Sequence, residues 1–205
     1  MSAAGGVGTP EPWVKSNIQK HPNHVSLDGR FLIYDAHDPV RRQDLWIVPL
    51  AGDRKPIPFL MTAADETAGQ FSPDGKWVAY SSDESGRRDV YVQGFAPDKV
   101  PAAAVGKWPI STAGGDKPRW RRDGKELYYI SPDGKMMAVP VKSSATFEPG
   151  VAVPLFDTRV TGFFPYDVSS DGRFLINTVA EADAGASSPI TVVLNWQRAL
   201  SKLIH

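Results

Sequence analysis

Four polar side chains of different chemical types occupy one repeated position of the chain. The position lies four residues before each of four Asp-Gly pairs and holds His24, Gln70, Arg119 and Asp167. A histidine, an arginine and a carboxylate in one ring could bind an asymmetric polar ligand, and the histidine could also transfer a proton. The plainer interpretation is polar filling of the centre of the fold, with Arg119 and Asp167 as a structural ion pair. Second-rank candidates lie on the loops that enter the same segments: Glu66, Lys117 and Tyr166.

The Asp-Gly pairs themselves form a repeat. They begin at positions 28, 74, 123 and 171, so that successive pairs are 46, 49 and 48 residues apart. A period in this range indicates a repeat architecture. Four carboxylates at equivalent positions resemble a catalytic array, but Asp-Gly is also the dipeptide of tight turns between antiparallel strands. Because equivalent turns lie in separate repeats, we predict that these aspartates are turn residues.

Short apolar runs surround each turn, and we read them as strands. A second strand should follow each turn at 31–34, 77–80, 127–130 and 174–176. A third strand is predicted at 45–48, 90–92, 136–139 and 190–194, and an outer fourth at 57–60, 107–110 and 153–156. The first strand of each repeat should run into the Asp-Gly pair, with an apolar core residue three places before the aspartate: Val25, Phe71, Trp120 and Val168.

Four strands in a repeat of this length are typical of a β-propeller blade. We therefore predict an all-β fold of four four-stranded blades in a single domain, at about 17–62, 63–112, 113–158 and 159–200. Strand alternation should place the polar positions opposite the core positions, toward the propeller axis. Helical periodicity is found only in the last residues, at 198–204.

The fourth repeat lacks an outer strand, while the N-terminal segment carries an unattached one. The segment 12–16 reads Pro-Trp-Val-Lys-Ser and resembles Lys-Trp-Pro-Ile-Ser at 107–111. We predict that a closing strand at 11–16 pairs with residues 191–194 and completes the last blade, since an open edge strand invites aggregation. Two alternatives remain open: a fragment of a larger propeller, or an eight-bladed ring made by two chains, which would be a homodimer.

The composition of the chain limits the classes of partner and site that we expect. The 205 residues carry 23 basic and 23 acidic side chains and no cysteine. A nucleic-acid binder usually shows a basic excess, so we expect no nucleic-acid partner. Without cysteine, disulfides, thiolate metal sites and cysteine nucleophiles are excluded. No apolar run approaches the length of a membrane span, and residues 1–8 lack the features of a signal peptide. We expect a soluble protein without membrane insertion, in either the periplasm or the cytoplasm.

Metal and phosphate sites receive little support. His21 and His24 have His-x-x-His spacing, but residues three apart on a strand face opposite sides, and only Asp167 offers a distant third ligand. We expect no metal and no cofactor. The basic group Lys117, Arg119, Arg121, Arg122 and Lys125 could contact phosphate, although acidic loops balance it and a solvated surface accounts for it more simply.

Two short sequence motifs resemble those of a known family. Residues 71–76 and 131–135 resemble the Ser-Pro-Asp-Gly-Lys repeat of TolB-type propellers. Residues 44–50, 82–86 and 188–196 are similar to the C-terminal propeller region of bacterial kinase-like and transcription-regulator-like proteins. The resemblance covers about 11–200 and implies a propeller fold with protein or peptide partners. Kinase motifs are absent, as is the Gly-x-Ser-x-Gly elbow of the hydrolases that carry a related propeller.

These observations lead to two functional hypotheses. The first is a non-enzymatic binding or scaffold module that recognises a protein, a peptide or a polar ligand through the axial face, because no nucleophile with its base is evident in the sequence. The alternative is a hydrolase or lyase that acts on a polar substrate at the axis through His24 with Asp167 or Arg119. A third possibility is a structural or oligomerising segment of a larger protein.

Overall fold

A computed structural model describes residues 14, 16–39, 42–97, 103–143, 146–160, 162 and 165–178. These residues form fifteen β-strands. No helix long and apolar enough to cross a membrane occurs among them. The all-β prediction is confirmed over the described part of the chain.

The strands are grouped into consecutive antiparallel sheets. The first sheet contains β1 (Gln19–Val25), β2 (Phe31–Asp38), β3 (Arg42–Pro49) and β4 (Ile57–Leu60). The second contains β5 (Glu66–Phe71), β6 (Trp77–Ser82), β7 (Asp89–Phe95) and β8 (Ala103–Pro109). The third contains β9 (Asp116–Trp120), β10 (Glu126–Ile130), β11 (Lys135–Ser143), β12 (Phe147–Pro149) and β13 (Val153–Asp157). The fourth is described by β14 (Tyr166–Val168) and β15 (Phe174–Ile176).

Each Asp-Gly pair lies in the turn between the first two strands of its sheet. In the second sheet the Ser72 hydroxyl donates to Asp74 at 2.6 Å, and the backbone N–H of Lys76 donates to the same carboxylate at 3.2 Å. Gly75 has a φ of 69°, which a glycine adopts without steric cost. The carboxylates thus hold the turns together in separate sheets, which confirms their prediction as turn residues.

Aromatic and branched side chains fill the spaces between consecutive sheets. Ile33 and Leu45 of the first sheet pack with Phe71, Tyr80 and Phe95 of the second. The second and third sheets meet at the cluster Trp77, Val92, Trp120, Leu127 and Phe147. The third and fourth meet at the cluster Tyr128, Met136, Tyr166 and Phe174. The second and third sheets bury both faces against the neighbouring sheets, so their strands show little of the apolar–polar alternation of a sheet with one solvated face.

The first strands of consecutive sheets contact one another. Strand β1 contacts β5, β5 contacts β9, and β9 contacts β14. These inner strands therefore surround a common centre, with the second, third and outer strands following outward in chain order. This is the blade order that the sequence predicts, and it places the residues that precede the Asp-Gly turns around the axis.

One predicted core residue is wrong. Phe71 and Trp120 are buried, whereas Val25 is 45% exposed. The reason is positional: Phe71, Trp120 and Val168 pack against the preceding sheet, and Val25 belongs to the first sheet, which has no preceding sheet among the described residues. The short strand β12, which pairs with the end of β11, is a further element that the sequence analysis did not predict.

Several predictions concern residues outside the described part of the chain. These are the third strand of the last blade at 190–194, the helical segment at 198–204, and Trp13 in the closing strand. Val14 is described, and it packs against a small cluster formed by Tyr34, Ala36 and Val48 on the first sheet. The closing of the ring remains a prediction.

Candidate functional site

The four polar residues of the repeated position line one cavity. Its volume is about 390 Å³, and it lies at the ends of the inner strands beside the Asp-Gly turns. His24, Gln70, Arg119 and Asp167 all contribute to its wall. Phe71, Trp120 and Val168 also line it. The expected separation of the polar and apolar sets onto opposite faces therefore does not hold at the cavity.

Bulges in the inner strands explain why neighbouring residues share this wall. The pairing of β1 with β2 shifts register between Pro22 and His24, and that of β5 with β6 shifts between Thr67 and Gln70. Strand β9 is irregular at the equivalent place, where Lys117 has a φ of 56°. A bulge leaves an extra residue unpaired and redirects the side chains beside it. The regular alternation of a strand is thus lost immediately before His24, Gln70 and Arg119, whereas β14, which carries Asp167, pairs with β15 in regular register.

His24 is a neutral hydrogen-bonding group at pH 7. Its Nδ1 accepts a hydrogen bond from the backbone N–H of Phe71 at 3.3 Å. Burial lowers the pKa of His24 to about 4; the Arg119 guanidinium lowers it further, and Asp167 acts in the opposite direction. A neutral imidazole that accepts at Nδ1 carries its proton on Nε2. The ring therefore has Nε2–H as a donor.

Arg119 is the principal cation of the cavity. It donates one hydrogen bond, to the carbonyl oxygen of Pro118 at 3.0 Å, and its guanidinium carbon lies 5.9 Å from the centre of the Tyr166 ring. Among the salt bridges between described residues, none joins Arg119 to a carboxylate. The suggested ion pair with Asp167 is therefore wrong. Asp167 instead accepts a hydrogen bond from the backbone N–H of Val168 at 2.8 Å.

Gln70 has a structural role that its residue type does not reveal. Its side chain is buried and donates to the carbonyl oxygen of Asn23 at 3.4 Å. The backbone carbonyl oxygen of Gln70 accepts a hydrogen bond from the indole N–H of Trp120 at 3.1 Å. These two bonds join three successive inner strands. Gln70 thus holds the cavity wall together and has little freedom to face a ligand.

The sequence analysis did not select the cavity residue Asn23, and it named Arg122 only within a basic group that could contact phosphate. The side-chain Nδ2 of Asn23 is buried and has no hydrogen-bond partner among the described residues. Arg122 is exposed at the cavity margin. Asn23 is adjacent to His24 in sequence, but only the bulge between Pro22 and His24 indicates that both side chains reach the same wall.

Of the second-rank candidates, one lines the cavity and two do not. Tyr166 lines the cavity, and its hydroxyl donates to the carbonyl oxygen of Lys117 at 2.8 Å. The side chains of Glu66 and Lys117 do not contribute to this wall. Glu66 lies at the opposite end of β5, where it accepts a hydrogen bond from the Thr62 hydroxyl.

The two histidines of the His-x-x-His pair have different surroundings. Nδ1 of His21 lies 2.9 Å from a carboxylate oxygen of Asp35, which is fully buried, while His24 faces the cavity. Among the described residues, no three histidine or carboxylate side chains gather into a group that could hold a metal ion.

Comparison with known proteins supports the fold. No protein-family model matches the chain. No curated protein matches it either. Several solved structures, in contrast, align with this chain. The structure of a putative TolB from Agrobacterium tumefaciens aligns with a TM-score of 0.57 and 18% identity, over 73% of this chain and 53% of that one.

A second TolB structure, from Acinetobacter baumannii, aligns with a TM-score of 0.54 and 16% identity, over 78% of this chain and 43% of that one. The chain has a TolB-type β-propeller fold. A puromycin-hydrolyzing peptidase from Mycobacterium tuberculosis also aligns, with a TM-score of 0.52 and 19% identity, over 82% of this chain and 29% of the peptidase. At these identities the likeness concerns the fold alone, and this chain spans about half or less of each protein.

Proposed function

We propose that this propeller is a non-enzymatic binding module that recognises a protein, a peptide or another polar ligand through its axial cavity. The observation that carries the proposal is that His24, Arg119 and Asp167 line one cavity, in which Arg119 forms no salt bridge with any carboxylate of the described residues. A guanidinium without a carboxylate partner in the described structure can form an ion pair with a ligand.

The build of the cavity suits binding. A volume of about 390 Å³ is within the range of ligand sites, which combine apolar walls with a few placed polar groups. Here Phe71 and Trp120 supply the apolar wall, and both are anchored in the cores between sheets. Side chains held on packed strands are positioned more accurately than side chains on loops. The TolB-type fold of the neighbours is consistent with a protein or peptide partner.

The hydrolase or lyase alternative is less well supported. A general base works best with a pKa near the operating pH, and a pKa of about 4 leaves His24 a weak base at pH 7. The hydrogen bonds of His24 among the described residues include none to a hydroxyl or carboxylate side chain. A nucleophile activated by a neighbouring base is therefore not seen in the cavity.

A displayed library of random peptides tests the proposal. The immobilised protein should enrich peptides that bind saturably, and the variant Ser170→Trp should lose them because Ser170 lies at the cavity wall. Ala51→Trp is the matched control, since Ala51 is exposed on a loop away from the cavity. The proposal fails if no peptide is enriched, or if Ser170→Trp binds the selected peptides as tightly as the unmodified protein. Mass analysis of the bound peptides would reveal cleavage, which the alternative requires.

A further inference from the structure

We propose that the axial cavity recognises a carboxylate group of a peptide, with the guanidinium of Arg119 as its anchor. This inference rests on the proposed function and specifies its chemistry. Its basis is the set of hydrogen-bond donors in the cavity wall that have no acceptor among the described residues.

The Arg119 guanidinium has donors to spare. An arginine side chain carries five N–H donors in a planar fork, and among the described residues Arg119 donates only to the Pro118 carbonyl oxygen. The fork matches the two oxygens of a carboxylate, which it can bind with two parallel hydrogen bonds. The Tyr166 ring lies against the guanidinium, and the Tyr166 hydroxyl is itself fixed to the backbone of Lys117. The anchor therefore lies on a rigid support.

The other free polar groups of the wall are mainly donors as well. Nε2–H of His24 remains available because its Nδ1 is occupied by the Phe71 N–H. The Nδ2 group of Asn23 has no acceptor among the described residues, but it is too deeply buried to reach an occupant of the cavity. The accessible donors of the wall are therefore those of Arg119 and His24, and they favour an occupant that brings acceptors. A carboxylate brings two oxygens with about four acceptor positions.

The charges of the wall favour a single negative charge. Arg119 and Arg122 are cationic, Asp167 is the one carboxylate among the described lining residues, and His24 is neutral. A monoanion is attracted by this balance, whereas a phosphate dianion would meet additional repulsion from Asp167. A peptide also supplies N–H groups, which the free oxygen of Asp167 can accept. The arrangement thus fits a peptide carboxylate better than a phosphate.

Four synthetic pools of N-acetylated random hexapeptides on beads separate the possible sources of the carboxylate. The pools end in a free acid or an amide, and each is made with and without Asp and Glu. Fluorescently labelled protein should select beads from pools that contain a carboxylate. A preference for the free acid identifies the chain terminus as the source, and a preference for Asp and Glu identifies a side chain.

Resynthesised binders then allow a direct measurement. Converting the carboxylate to an amide should weaken binding to the unmodified protein by about tenfold or more. The same conversion should change binding to Arg119→Gln by less than about threefold, because the anchor is already lost. Arg30→Gln is the control, since Arg30 pairs with Asp28 and does not line the cavity. Arg119→Lys should recover only part of the affinity, as it keeps the charge without the fork.

The outcomes distinguish this inference from the proposed function. Binders that Ser170→Trp abolishes, but that come equally from the carboxylate-free pool, would overturn the inference and leave the binding module intact. Binders that are indifferent to Arg119→Gln, or that bind more tightly when a phosphoserine replaces the acidic residue, overturn it as well. If no pool yields a binder sensitive to Ser170→Trp, the proposed function itself fails. Should Arg119→Gln not fold, Arg119→Lys carries the test: an amide conversion that weakens binding to this variant as much as binding to the unmodified protein overturns the inference.

Discussion

Glu66 should make the stability of this propeller depend on pH. Its side chain opens β5 and is only 1% exposed. One carboxylate oxygen accepts from the Thr62 hydroxyl, and the other has no partner among the described residues. Burial raises the pKa of Glu66 to about 7; the bond from Thr62 opposes the rise, and the nearby carboxylates of Asp44 and Glu84 add to it. We predict that Glu66→Gln stabilises the protein above neutral pH.

The sign follows from proton binding. Between the ordinary pKa of 4.5 and about 7, the folded state holds a proton that the unfolded chain has released, so stability falls as pH rises through this interval. Below the interval Glu66 is neutral in both states and contributes no penalty. Above it the full penalty is present, at most about 3 kcal/mol from the width of the interval. Relaxation of a buried site reduces such penalties, so the measured value should be smaller.

Urea unfolding between pH 4 and pH 8.5 measures the effect. The free energy of unfolding of Glu66→Gln should be close to that of the unmodified protein at pH 4 and should exceed it by about 1–3 kcal/mol at pH 8. The exposed Glu148→Gln controls for the substitution itself. A difference that stays constant across this range, or one that grows as the pH is lowered, would refute the assignment of a buried, proton-binding Glu66.

Three further predictions use the same unfolding assay. The pKa of His24 is lowered to about 4 in the folded state, so between pH 4 and pH 6.5 the unfolded chain binds the extra proton and stability rises with pH. His24→Asn should remove this rise. An unchanged slope of unfolding free energy against pH would contradict the prediction. Gly69→Ala should cost about 1–3 kcal/mol, because its Cβ would lie 2.6 Å from Cδ1 of buried Ile33; a neutral result would show that Ile33 can move. Ser143→Ala should cost about 1 kcal/mol, because the Ser143 hydroxyl bridges the Trp77 indole N–H at 2.8 Å to Asp74 at 2.7 Å across two sheets; equal loss in a Trp77→Phe background would argue against the bridge.

The closing strand has a separate test. If Trp13 and its neighbours complete the last blade, deletion of residues 1–16 should lower the urea midpoint strongly, because the edge of that blade would lose its pairing. A deletion that leaves the midpoint unchanged contradicts intramolecular closure. The molecular mass in solution, measured by light scattering, distinguishes a monomeric ring from a ring of two chains.

The repeat made much of the fold predictable. The Asp-Gly spacing defines where strands must turn, and the apolar runs that follow the four pairs match β2, β6, β10 and β15 with shifts of a few residues at their ends. The location of the polar position at the axis follows from the same count, because an inner strand that runs into a turn must place its last residues beside those of its neighbours. The positions of the turns and of the inner-strand residues can therefore be predicted from local sequence patterns.

Contacts between sheets were not predictable in the same way. Whether Arg119 pairs with Asp167 depends on a distance between two blades, and opposite charges in the sequence do not determine it. The bulges at Ala68 and Lys117 place non-glycine residues at positive φ, which composition does not indicate. Val25 has the residue type of a core position, yet its burial depends on a sheet that precedes it in space. Whether Nδ2 of Asn23 finds an acceptor depends on the inner strands packed around it, and its residue type does not indicate that none is found among the described residues.

The features that the repeats share and those in which they differ have separate physical roles. Each of the four turns has a serine or arginine three places before its glycine and an aspartate directly before that glycine. The two side chains satisfy one another within each sheet, as Ser26 and Asp28 do at 2.6 Å. Groups that satisfy one another locally have little capacity left for a ligand. The differing position is the opposite case: His24 and Arg119 retain donors, and Gln70 uses its side chain to join neighbouring inner strands. Recognition by this propeller should therefore change with substitutions at the differing position, whereas substitutions in the turns should change stability first.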